Sequence, residues 1–318
     1  MPRLLETIAS ASRLVASVFA RVGLLQPTTE QSKGPEILAE LKNSARTPTL
    51  THPISQPCTA SQIDEPPYRY WCSRMELQPF YNRKVWEFCF ILQALVTADM
   101  MRAGRRGLGF GVGKEPLACV MASEGCDIVA TDLEVETARV AGWVATDEHA
   151  GMLEDLLYPN VIDAKSFRER VSYQHCDMNN ISDDLTDFDF CWSSCAFEHL
   201  GTIEKGLDFV EASLRTLKPG GLAVHTTEFN CSSNTDTVRE GGTVLFRKRD
   251  IEEIAERMRS QGHTIETSFY VGETEVDCYI DAPPYRHDRH LKLALGSFLT
   301  TSYGLIVRKS VDRPPMLD

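Results

Sequence analysis

The chain of 318 residues, 42% hydrophobic and 25% charged, is long enough for one large or two small domains with a substantial core. A formal net charge of −12 argues against a dedicated nucleic-acid binder, and no apolar run approaches the roughly 20 residues of a membrane span. The ten cysteines are scattered without any Cys-x-x-Cys pair, several inside apolar runs such as "ACVMA" and "FCF", which points to a reduced, cytoplasmic protein rather than to disulfides or zinc.

Residues 1–25 carry apolar residues at near-helical spacing, with Arg3, Arg13 and Arg21 among them. Such an amphipathic helical segment suits a membrane surface, a partner, a targeting signal or packing on its own domain. Residues 26–67 are polar and punctuated by prolines from Pro27 to Pro67, and are expected to form a linker. One domain is expected over 68–318, with an N-terminal lid (68–103) ahead of its core (104–318). Aromatic and cationic residues of the lid (Tyr68, Tyr70, Trp71, Tyr81, Arg83, Trp86) suit either an acceptor platform or plain core.

Regular patterning begins with the helix "RKVWEFCFILQALVTADMM", stopped near Gly104. The loop "RRGLGFGVGKEPL" follows, then a helix from Pro116, the strand "DIVATD" and the helix "ETARVAGWVA". Further strands are expected at "RVSYQHCDM", "FDFCWSS" and "LAVHTTEF", the last after the helix "GTIEKGLDFVEASLRTL" and a "KPGG" turn. The charged helix "RDIEEIAERMRSQGH" precedes two last strands, "TIETSFYV" and "YGLIVRK". Alternating strands and helices predict an α/β, Rossmann-like, mostly parallel sheet with helices on both faces, behind an N-terminal helical extension. The nearest approach to a metal cluster, His287, Asp288 and His290, reads as solvated surface, so no metal is expected.

Gly107, Gly109, Gly111 and Gly113 alternate at a strand-to-helix turn, where glycine permits positive φ and close ligand approach. A dinucleotide fingerprint fails in every register, its third glycine falling on Val112, Lys114 or Pro116. A phosphate-binding P-loop fails too, because Glu115 follows Gly113-Lys114 and Leu108 stands where its first glycine belongs. What remains is G-x-G-x-G. Two acids at successive strand ends sharpen it: Asp132 can accept from ribose hydroxyls, and Asp177 from an adenine amino group with Met178 against the ring.

The runs "GLGFGVGKEPLACVMASEGCDIVATDLE", "HCDMNNI" and "FDFCWSSCAFEHLGTIEKGLDFVEASLRTLKPGGLAVHTTEF" together resemble a class I S-adenosylmethionine-dependent methyltransferase. The resemblance implies a seven-stranded sheet ending in a C-terminal antiparallel hairpin, with S-adenosylmethionine as cofactor. It implies cofactor contacts at Gly107, Gly109, Gly111, Gly113, Asp132, Leu133, Asp177 and Met178, and places Ser193 or Ser194 near the transferred methyl. Gly107 departs from the family, which usually has an acid there; Glu115 is the expected substitute.

Methyl transfer needs alignment of nucleophile, methyl and leaving sulfur, and a hydroxyl or amine acceptor also needs a base. His199 is the first candidate, followed by Glu198, His225 and Glu228, all at or after the ends of two adjacent strands. The expected reaction is methylation of a hydroxyl on a small molecule or glycan. Methylation of a protein or other macromolecule, and a non-catalytic cofactor-binding interaction module, are the alternatives. The "NCSSNTDTVREGGTVLFRK" segment is expected to lie as a hairpin over the site.

Overall fold

The computed structural model describes residues 35–42, 46–141 and 148–311; the helix expected over 1–25 lies outside them. Among the described residues the strands are, in chain order, β1 (Gln56–Pro57), β2 (Tyr81–Asn82), β3 (Arg106–Phe110), β4 (Asp127–Asp132) and β5 (Val171–His175). They continue with β6 (Phe188–Ser194), β7 (Leu217–Asn230), β8 (Ile280–Asp281), β9 (Arg289–His290), β10 (Lys292–Leu295) and β11 (Phe298–Arg308). One sheet runs β5-β4-β3-β6-β7-β11-β10-β8, with β1 added on β11, while β2 pairs with β9 separately.

The sheet therefore has nine strands rather than seven. The additions are the short pieces β1 and β8, two residues each, which lack any periodicity to read. β3 to β7 pair in parallel and β11 is antiparallel to β7. The expected terminal hairpin exists but is β10–β11, closing at the Leu295–Phe298 pair. "TIETSFYV" is not a strand; only single bridges, Thr264 to Arg308 and Ser55 to Thr267, touch it. The "KPGG" turn is absorbed into β7 as a register shift between the Phe188–Leu217 and Phe190–Leu222 pairs.

Residues 46–67 are not a linker. Leu50, Ser55 and Gln56 are buried, and β1 extends the sheet at Gly304 and Tyr303. Tyr68, Trp71 and Trp86 also belong to the core: Trp71 donates to Gln93 Oε1 (2.8 Å) and Trp86 to Gln62 Oε1 (2.9 Å), so both indole N–H groups are satisfied.

β6 is buried at every position, as a parallel strand covered on both faces must be. Its side chains alternate between layers: Phe190 and Trp192 meet Trp86 and Phe90, while Cys191 meets Phe209 and Phe110. Helix Arg83–Thr97 covers the first layer, packing on β7 and β11. Asn82 starts it, accepting from the N–H groups of Lys84 (2.9 Å) and Val85 (3.3 Å). Helices Ile203–Ser213 and Lys248–Ser260 pack together beside the second. Chain order reverses at β3, whose neighbours are β4 and β6, so their carboxyl ends open a crevice there.

Candidate functional site

A cavity of about 300 Å3 occupies that crevice. Its outer end is made by the loop after β3 and by the ends of β4 and β5. Gly111 (φ +55°) and Gly113 (φ +49°) turn the chain there. A Cβ on Gly111 would stand 3.0 Å from the Ala196 Cβ and 3.3 Å from Met178 Sδ, so glycine keeps that wall open. Gly107 and Gly109 are not in the wall. They lie inside β3, where a Cβ would meet Phe190 at 2.4 Å and Trp192 at 2.5 Å, and so serve close packing of β3 on β6.

Asp132 ends β4, buried at the cavity wall beside Leu133. Its carboxylate accepts from the N–H groups of Leu133 (2.8 Å), Gly113 (3.1 Å) and Ala150 (3.3 Å). Burial raises its pKa, against the His149 ring and those N–H groups. Three donors leave the carboxylate room for a ligand hydroxyl, since its two oxygens offer about four acceptor positions. Asp177 and Met178 line the same end, with Asp177 Oδ1 accepting from the Asn179 N–H at 2.9 Å.

The inner end is a network of buried charges. Lys84 Nζ lies 2.8 Å from Glu115 Oε1, 3.0 Å from Ser194 Oγ and 3.4 Å from Glu87 Oε2. Arg83 pairs with Glu228 and donates to Ser302 Oγ at 3.1 Å. Burial opposes both cations, but the carboxylates around them prevail and raise both above their ordinary values. Glu115 is pushed up to about 7 by burial despite Lys84, and its Oε2 has no hydrogen-bond partner. Glu228 is also raised by burial, against the pull of Arg83, and its Oε2 makes no hydrogen bond of ordinary geometry.

Glu198 and His199 sit on a single turn after β6. Glu198 is buried, accepts from Thr227 Oγ1 at 3.1 Å and is pushed up to about 7, mainly by burial. His199 Nδ1 donates to the Gly242 carbonyl at 2.8 Å, and burial lowers its pKa to about 4. That contact packs Gly242 of the 230–248 segment on His199, but no residue of the segment lines the cavity, so it does not form the expected cover.

Ser193 and His225 are excluded from the cavity. They pair directly across β6 and β7, and a strand sends alternate side chains to opposite faces. Ser193 Oγ hydrogen-bonds His225 Nδ1 (2.9 Å), and His225 Nε2 meets Ser213 Oγ (3.1 Å), between Phe197 and Phe209. Burial lowers His225 to about 3, so it is a neutral core residue. Ser194 and Glu228 occupy the opposite face and line the cavity.

Four site residues escaped the sequence reading. Lys84 and Glu87 lay unremarked within a helix, and Cys195 carried no motif. His290 was assigned to solvent, but it is buried, lines the cavity and pairs through Nδ1 with Asp281 Oδ2 at 2.7 Å. Helical spacing gave the only signal for the first two: Arg83, Lys84 and Glu87 share one turn of an otherwise apolar helix.

Residues 108–225 match a family model described as a methyltransferase domain. No curated protein matches the chain. Among solved structures, the chain is similar to the magnesium protoporphyrin IX methyltransferase of Synechocystis with bound SAH: 10% identity, 79% of this chain and 97% of that one, TM-score 0.43. It is also similar to Haemonchus contortus phosphoethanolamine N-methyltransferase 2 in complex with S-adenosyl-L-methionine, at 17% identity over 79% of this chain and 57% of that one, TM-score 0.39. A third is an S-adenosylmethionine-dependent methyltransferase of Clostridium acetobutylicum, at 14% identity over 72% of this chain and 92% of that one, TM-score 0.39.

Proposed function

We propose that this chain is a class I S-adenosylmethionine-dependent methyltransferase that transfers a methyl group to a hydroxyl of a small molecule or glycan; the methyltransferase-domain match over residues 108–225 supports the reading. The site fits the cofactor on two observations. Gly111 and Gly113 keep open a cradle that a Cβ would fill, and Glu115 Oε2 is a buried acceptor without a donor. Asp132 would hold the ribose hydroxyls, Asp177 and Met178 the adenine, and Glu115 with Lys84 the amino and carboxylate groups of the methionine end. When bound, S-adenosylmethionine supplies a methyl group already activated on a sulfonium.

The chain's own work is then to orient the acceptor and take its proton. Glu198 is the proposed base. It lines the inner end, and its pKa of about 7 suits proton removal near neutrality better than His199 at about 4. Glu198, its carboxylate oriented by the Thr227 hydroxyl at 3.1 Å, would accept the proton of the acceptor hydroxyl. Burial excludes water from the inner end and strengthens each charge there.

The observation that carries this reading is a buried, cavity-lining carboxylate with a raised pKa across from the glycine cradle. Incubation with methyl-labelled S-adenosylmethionine and separate metabolite, glycan and protein extracts tests the acceptor class. Label in methyl ethers of metabolites or glycans is expected; label confined to protein would overturn it.

A further inference from the structure

The inner end holds more carboxyl groups than cations. Four carboxyl groups (Glu87, Glu115, Glu198 and Glu228) meet two cations, Arg83 and Lys84. Both cations are already engaged, Arg83 by Glu228 and Glu87, and Lys84 by Glu115 and Glu87. An anionic acceptor would therefore find no open cation and several carboxylates. The cofactor's sulfonium would add one positive charge there, its amino and carboxylate groups cancelling each other.

Glu228 stands out among these carboxyl groups. It is 1% exposed, lines the cavity and holds Arg83 through Oε1, while Oε2 makes no hydrogen bond of ordinary geometry and the Thr300 hydroxyl is the one other protein donor acting on the carboxylate. A buried carboxylate oxygen without a well-placed donor costs free energy that a ligand donor would recover. One ligating atom each from Glu198, Glu228 and Cys195 lies within 4.8 Å of the others.

We infer that the acceptor is a 1,2-amino alcohol, as in an amino sugar, with its ammonium group held by Glu228 and the adjacent hydroxyl by Glu198. This rests on the methyltransferase reading above. Vicinal nitrogen and oxygen atoms, each adding a charge-assisted hydrogen bond of about 2.8 Å, span two carboxylates at this separation. An ammonium group adds positive charge where carboxyl groups outnumber cations, which a neutral polyol does not.

The test is calorimetric titration of the full chain, saturated with S-adenosylhomocysteine, with glucosamine, glucose and N-acetylglucosamine. Glucosamine is expected to bind at least about tenfold more tightly than the other two, a preference that Glu228→Gln abolishes without changing affinity for S-adenosylhomocysteine. Glu228→Asp keeps a charge for Arg83 and is expected to retain part of the preference, which guards against a folding defect in the first variant. Equal binding of the three sugars, binding of none, a preference that survives Glu228→Gln, or stoichiometric binding of Mn2+ or Zn2+ that blocks glucosamine would each overturn the inference. Failure of the wild type to bind S-adenosylhomocysteine would overturn the methyltransferase reading and the inference together, whereas binding it without preferring glucosamine overturns the inference alone.

Discussion

Lys84 Nζ stands 2.8 Å from Glu115 Oε1, joining a helix that precedes the matched segment to the loop beneath the glycine cradle. In the proposed reading the pair holds the amino-acid end of the cofactor. Glu115→Gln or Lys84→Met is expected to weaken S-adenosylhomocysteine binding by about 10- to 100-fold, the range for a lost hydrogen bond to a charged group. Affinity for 5′-methylthioadenosine, which lacks the amino-acid end, should stay unchanged. Equal losses for both ligands would show that the pair shapes the whole cavity instead.

Glu198 gives the rate a pH dependence of definite sign. A base must be ionised, so kcat/KM for the acceptor is expected to rise with pH and level off above about 7, near the raised pKa of Glu198. Glu198→Gln should lower kcat by about 10²- to 10⁴-fold and remove that limb. A limb near pH 4 that survives the substitution would return the base to His199.

His225 gives stability a pH dependence of the same sign, at lower pH. Its folded value of about 3 lies below the ordinary 6.5, so its contribution is whole above 6.5 and is lost as pH falls toward 3. His225→Leu is expected to flatten that part of the pH–stability curve. It should also cost about 1–3 kcal/mol by stranding Ser193 Oγ, which chemical denaturation would measure. The kcat of the variant should match the wild type; a large loss would place His225 in the chemistry.

Gly107→Ala is expected to destabilise the domain rather than weaken cofactor binding selectively. Its Cβ would meet the Phe190 ring at 2.4 Å, with Ile128 at 2.9 Å on another side, inside a core that cannot yield cheaply. Gly111→Ala should instead reduce binding, through strain at φ +55° and contact with Ala196 at the cavity wall. Thermal unfolding and ligand titration of the two variants separate these effects.

The parallel half of the sheet was legible because its strands are apolar runs between turn signals: "DIVATD" and "FDFCWSS" coincide with β4 and β6. Asp132, Asp177 and the glycine turn were legible because they stand at the carboxyl ends of β4, β5 and β3. β1 and β8 were not, since two-residue strands are defined by their partners and carry no pattern of their own. Separating Ser193 from Ser194, and His225 from Glu228, needed the side-chain alternation of a strand together with knowledge of which face held the cavity. Lys84 shows only in the helical spacing of Arg83, Lys84 and Glu87, and His290 reaches the site through tertiary packing, so no local pattern could place His290 there.

The central claim is tested most directly by calorimetric titration of the full chain with S-adenosylmethionine. One molecule per chain should bind the wild type, and Asp132→Asn, which keeps the side chain's size but removes its charge, should weaken binding by about tenfold or more. No binding to the folded wild-type chain, or equal binding to the variant, would contradict it.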